Sequence, residues 1–128
     1  MRIQENLEKS KYEADGSIQI QGTTIPYHTI CEDNFFVDEE NNPVASIFSY
    51  AYFRSDIQDN SKRPILFIYN GGPGCASLWL HMGLFGPRIV KLDDELNLPT
   101  VPPFELEDNP HCLLDLCDLV FIDPVGTG

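Results

Sequence analysis

Asn70-Gly71-Gly72-Pro73-Gly74 holds the densest potential for chemistry in this 128-residue chain. Its glycines permit positive φ and let another group approach the backbone closely. Pro73 fixes one φ and removes one donor, which leaves the N–H groups of Gly71, Gly72, Gly74 and Cys75. Donors gathered at a helix N-terminus stabilise negative charge, so the segment fits an oxyanion hole or an anion site. It also fits a sharp strand-to-helix turn without a ligand, the commoner case for a Gly-rich turn, and residue types alone leave both readings open. A phosphate loop is excluded because no Gly-Lys-Ser/Thr follows. A dinucleotide fingerprint fails because Ser77 stands where its third glycine is needed, although Asp93 and Asp94 lie ~20 residues on, where a ribose-binding acid would sit.

Other reactive side chains carry less. Cys75 falls at the start of the expected helix, where a thiolate would be stabilised. The nucleophile-elbow pattern Gly-x-Nuc-x-Gly is absent around it, since Ser77 follows Ala76, and Cys75 is read as a small packed thiol. Ser77 lacks the elbow as well and is expected to turn into the helix. His28, His81 and His111 are scattered; His81, after Trp79-Leu80, is assigned to packing or surface. His111, Cys112 and Cys117 give C-x₄-C beside a histidine without the second pair that a zinc site needs, so no metal is expected. Asp118 is read as a loop residue before a strand and Asp123 as that strand's end before Pro124, neither with chemistry. No residue here looks like the nucleophile that would use an oxyanion hole.

These residues need elements to position them. Residues 1–16 are polar and read as a flexible or helical lead-in. Ser17–Gln21 alternates as a half-buried strand, Ile25–Ile30 suggests a second, and Phe35–Val37 begins another. The cluster Glu39–Pro43 is a turn, and Val44–Arg54 is rich in aromatic and β-branched residues, so an antiparallel hairpin is expected. Ser55–Arg63 reads as a surface loop. Ile65–Tyr69 and Leu119–Ile122 are continuous apolar runs, the pattern of strands buried on both faces in a parallel sheet. Between them come a helix from about Ala76 and a Pro-rich stretch with Pro99, Pro102, Pro103 and Pro110. The expected fold is α/β, with an antiparallel edge.

Composition bounds the function. Twenty acids against eight bases give a net charge of −12, with acids clustered in runs that read as solvated loops. That charge argues against nucleic acid and against an anionic membrane surface. No apolar run approaches the ~20 residues of a membrane span, and the N-terminus has no apolar signal region. Four cysteines do not make a disulfide scaffold in a chain of this length, so reduced thiols and a cytoplasmic location are expected.

The segment NGGPGCASL resembles the NGGPG-C/S-SS-L segment of the serine carboxypeptidases, which are α/β-hydrolases. The lead-in RPILFIYN and the later NPHCLLDLCDLVFIDPVGTG, Asn109 to Gly128, are similar to that family's strands and loops, in the same order and spacing. WLHMGLFGP, Trp79 to Pro87, is most similar to bacterial members. The resemblance implies that the chain is the N-terminal part of one α/β-hydrolase domain: an antiparallel hairpin, then the first buried strands of a mostly parallel sheet.

It implies an oxyanion donor at the Gly72 N–H and a substrate-binding role for Asn70 and Gly71, with Asn70 bonding the substrate's terminal carboxylate. Many eukaryotic members place a glutamate where this chain has Leu84, which puts strict exopeptidase specificity in doubt. The family's serine, aspartate and histidine lie outside this chain. The implied function is peptide hydrolysis at a C-terminus, with a peptide as substrate and the rest of the domain or a second chain as partner. No cofactor is implied. An acyltransferase or esterase on the same fold, and a truncated non-catalytic chain, stay open.

Overall fold

The computed structural model describes residues 9–72, 74–93, 95–97 and 100–127. Residues 1–8 of the expected lead-in, Pro73, Asp94, Pro99 and Gly128 lie outside them. The main sheet has five strands in the order β1-β2-β3-β7-β4, where β4 is Ile65–Tyr69 and β7 is Asp118–Asp123. Its first three form a meander: β1 (Lys11–Ile20), β2 (Thr23–Val37) and β3 (Pro43–Arg54). Gln21 and Gly22 connect β1 to β2, with φ of 48° and 79°, the positive values that a two-residue hairpin turn demands. Pleating sends Ile18, Ile20, Ile25 and Tyr27 inward, where they are buried. Gly16 lies opposite Tyr27, and a β-carbon there would sit 2.7 Å from the far end of that side chain, which would have to shift.

Two expectations need correction here. Lys11–Gly16 are not a lead-in but the first part of β1, paired with Glu32 to Tyr27. Tyr12 and Ala14, the apolar residues of this stretch, are both exposed, so its order comes from backbone pairing with β2 rather than from burial. The two short strands expected at Ile25–Ile30 and Phe35–Val37 are one strand, β2. The polar residues between them are satisfied within the sheet: Asp33 Oδ2 accepts from the Ser10 N–H at 3.1 Å, and Asn34 Nδ2 donates to Ser49 Oγ at 2.9 Å. The β2–β3 hairpin is present, with Asp38 Oδ1 accepting from the N–H groups of Glu40 and Asn42 in its turn.

The central strand β7 (Asp118–Asp123) pairs antiparallel with β3 and parallel with β4 (Ile65–Tyr69). Leu119 and Phe121 are fully buried and join Ile18, Ile25, Ile68 and Leu114 in the core. Of the two strands expected to be buried on both faces, β7 is buried or half-buried throughout and β4 is mostly exposed. β7 is covered, whereas β4 is an edge strand with Phe67 59% and Tyr69 66% exposed and only Ile68 buried. The apolar run is real, but among the described residues no strand pairs beyond β4. Among the described residues, three of the main sheet's four pairings are antiparallel and one is parallel.

The β4–β7 connection also departs from expectation. The helix expected from Ala76 is one α-turn, α1 (Leu78–Leu80), running straight into a π-turn, His81–Phe85. The π-turn closes with the Gly86 N–H on the His81 carbonyl at 2.9 Å. A β-carbon on Gly86 would lie 2.3 Å from that carbonyl oxygen, so glycine is obligatory. Buried Asn109 seals the same turn, donating from Nδ2 to the carbonyls of Leu84 at 2.7 Å and Gly86 at 2.9 Å. Two short strands, β5 (Arg88–Val90) and β6 (Leu106–Asp108), pair beside it as a second small sheet.

Asp118 is likewise not a loop residue. It opens β7, is buried, and accepts from the Arg54 N–H at 3.0 Å and Arg63 Nε at 2.7 Å. Arg63, assigned to a surface loop, therefore carries a buried guanidinium.

Candidate functional site

The Asn70–Gly74 loop leaves the C-terminal end of β4, next to the C-terminal end of β7. In an open sheet of parallel strands, that end is where ligands bind. Gly72 and Gly74 have φ of 73° and 91°, and both are exposed with open space beside them. Positive φ explains why glycine stands at these positions. Among the described residues no acceptor takes the N–H of Gly71, Gly72 or Gly74. Gly72 is thus an exposed backbone donor at the crest of the loop.

The ends of the loop are held. The Asn70 N–H donates to Ser77 Oγ at 3.1 Å. The Ser77 hydroxyl donates to the Ile122 carbonyl, and the Ser77 N–H donates to Asp123 Oδ1 at 2.7 Å. Ser77 and Asp123 are 1% and 4% exposed, so these bonds are shielded from water. Inside the loop, Asn70 Nδ2 donates to Cys75 Sγ at 2.8 Å and to the Ala76 carbonyl at 3.4 Å. The Asn70 amide therefore faces its own loop.

The picture of a helix N-terminus as anion site does not describe this loop. The helix starts at Leu78, after the loop, and the N–H of Ser77, the residue before it, donates to Asp123. Cys75 accordingly lies outside the helix, half-buried against the Asn70 amide.

His81 is a packed side chain. It stacks on Phe121 at 4.5 Å and places Nε2 2.6 Å from the Tyr52 hydroxyl. Burial pushes its pKa down to about 4, against a smaller upward pull from the Asp123 carboxylate. Burial, then the Asp123 charge, raises the pKa of Tyr50. Burial pushes the Cys112 thiol up to about 11. Cys31, Cys75, Cys112 and Cys117 are free thiols, and no set of metal-ligating side chains occurs among the described residues.

Two hollows flank the loop's supports. One, of about 450 Å³, is lined by Asp33, Ser46, Phe48, Tyr50, Asp123 and Thr127. The other, of about 890 Å³, is mainly apolar and includes Leu78, Trp79, Met82, Ile89 and Val90. Sequence reasoning placed Asn70, Gly71 and Gly72 together on one loop, as found. It missed Ser77 and Asp123 as supports of that loop. The only available signal was the aspartate at a strand end, and nothing local says that this strand lies beside β4.

No protein-family model matches the chain. Curated relatives do. Pheromone-processing carboxypeptidase KEX1 of Saccharomyces cerevisiae is 34% identical over 92 residues, 71% of this chain and 11% of that protein. Serine carboxypeptidase-like 36 of Arabidopsis thaliana is 33% identical over 88 residues, 68% of this chain and 16% of that protein. Among solved structures, KEX1(ΔP), a prohormone-processing carboxypeptidase from Saccharomyces cerevisiae, matches with a TM-score of 0.56 and 27% identity. That match covers 81% of this chain and 20% of the other. The chain spans about a tenth of the length of the first of these relatives. Over about two thirds of its length it is similar to serine carboxypeptidases in sequence, and over more of it in fold.

Proposed function

We propose that this chain is a segment of a serine carboxypeptidase and carries its oxyanion and carboxylate-binding loop. The parent enzyme would hydrolyse the last peptide bond of a substrate through a Ser-His-Asp triad outside these residues. The Gly72 N–H would face the oxyanion of the tetrahedral intermediate. Asn70, with the neighbouring Gly71 N–H, would bond the substrate's terminal carboxylate. The observation that carries this reading is the exposed, positive-φ Gly72 crest at the C-terminal end of a strand paired parallel to β7. Similarity to serine carboxypeptidases across the same segment supports it.

Two features temper the specificity. The Asn70 amide is shared with Cys75 and Ala76, and exposed Leu84 offers no carboxylate-binding group. A hydrogen bond to a charged group contributes roughly 1.5–3 kcal/mol, which is about one to two decades of discrimination. The proposed enzyme therefore prefers free C-terminal peptides over their amides by that margin and retains activity on esters. The test is kcat/KM for a matched acid and amide pair, using the full-length protein that carries this segment. Equal rates would replace the carboxypeptidase by an esterase or acyltransferase of the same fold. Absence of acyl transfer to any acceptor would remove the hydrolase reading.

A further inference from the structure

We propose that Asp123 is a positioning residue for the Gly72 oxyanion donor, acting through Ser77. This rests on the carboxypeptidase reading above and names a residue that reading does not use. The geometry is a clamp. Asn70 opens the loop and is tied to Ser77, which closes it and is itself tied to the last two residues of β7. Asp123 Oδ1 accepts from the Ser77 N–H at 2.7 Å. The Ser77 hydroxyl donates to the Ile122 carbonyl and accepts from the Asn70 N–H at 3.1 Å. The crest between these anchors, with Gly72 and Gly74 at positive φ, has no other bond to the sheet among the described residues. Its direction is set by where its two ends are held.

The chemistry suits the task. A charged acceptor bonded to a backbone N–H makes a short, strong bond, and its burial keeps water from competing. With Asp123 4% exposed and Ser77 1% exposed, loss of the acceptor leaves a buried N–H without a partner. The loop would then shift to find one, and a displacement of about 1 Å at a catalytic donor costs on the order of 10²-fold in rate. Nothing in the clamp requires the negative charge itself. An oxygen acceptor at the same place is sufficient, and that separates a clamp from an electrostatic role.

The experiment has two readouts on Asp123→Ala, Asp123→Asn and Ser77→Ala. The first is amide hydrogen exchange at Ser77 and Asn70, which reads the clamp without any assumption about activity. The second is kcat and KM in the full-length protein. The clamp requires that Asp123→Ala lose Ser77 protection while protection elsewhere in β3 and β7 persists. It requires a fall in kcat of about 10²-fold with little change in KM, and substantial recovery of both readouts in Asp123→Asn. Ser77→Ala, which leaves Asp123 in place, should lose Asn70 protection and part of kcat. Undiminished Ser77 protection in Asp123→Ala overturns the clamp. Lost protection with wild-type kcat overturns the positioning role. A wild-type protein without acyl-transfer activity, despite the expected exchange pattern, overturns the carboxypeptidase reading and the catalytic part of this proposal together.

Discussion

Arg63 Nε lies 2.7 Å from Asp118 Oδ1, both side chains being under 10% exposed. This pair joins the entry of β4 to the first residue of β7. The Asp118 carboxylate also holds the Arg54 N–H at the end of β3, so three strands meet on one buried charge. Arg63 adds bonds to the carbonyls of Leu114 and Asp115. Removing one partner strands the other charge away from water. Asp118→Ala should lower stability by about 3–5 kcal/mol. Urea unfolding of the chain checks this, and a loss under 1 kcal/mol would show that water reaches the guanidinium.

His81 gives the fold a pH dependence. Its pKa is pushed from the ordinary 6.5 to about 4 by burial, so the folded state binds the proton less tightly than the unfolded chain does. Its contribution is present above about pH 6.5 and lost as pH falls toward 4, up to on the order of 3 kcal/mol. The nearby Asp123 carboxylate opposes the effect, and the Tyr50 and Tyr52 rings that touch His81 stay neutral in this range. His81→Phe should flatten the fall in thermal midpoint between these pH values. An unchanged slope would assign the acid sensitivity to carboxylates.

Gly86 and Gly83 form a matched pair for substitution. At Gly86 a β-carbon meets the His81 carbonyl oxygen at 2.3 Å, whereas at Gly83 nothing lies within 4 Å. Gly86→Ala should cost about 1–3 kcal/mol or more through forced backbone shifts. Gly83→Ala, inside the π-turn, should be neutral or stabilising by up to about 1 kcal/mol. Thermal unfolding of the two variants reads the contrast, and equal effects would mean that the π-turn relaxes freely.

Gly72→Ala separates catalysis from folding. Its φ of 73° strains an alanine by about 1–2 kcal/mol, although space is open for the methyl. In the full-length protein the variant should lose about 10²–10³ in kcat as the donor turns away. A raised KM at constant kcat would instead assign the loop to ground-state binding.

Local patterns were legible where a local cause produces them. The Asn70–Gly74 loop was visible because positive φ and close approach select glycine at Gly72 and Gly74. The β2–β3 hairpin was visible because Asp38 and Asn42 build its turn from their own side chains. The first half of β1 was not, because its alternating Tyr12 and Ala14 are exposed rather than turned into a core, and the segment depends on Glu32 to His28 across the ladder. The helix length was misjudged because Asn109, 25 residues beyond Leu84, decides how that turn ends.

The sequence by itself determined the strand chemistry, the glycine loop and the resemblance to serine carboxypeptidases. All three follow from residue types at short spacing. Only the tertiary structure decided what holds the loop. Ser77 and Asp123 are 46 positions apart, and they meet because β7 lies parallel to β4 with its end beside the loop. Only the structure showed that Arg63 and Asp118, read as loop residues, form a buried ion pair, and that among the described residues no strand pairs beyond the apolar β4. The physical reason is common to all of these: burial and pairing across a sheet are set by which strands become neighbours, and neighbourhood between distant segments leaves no periodic trace in either of them.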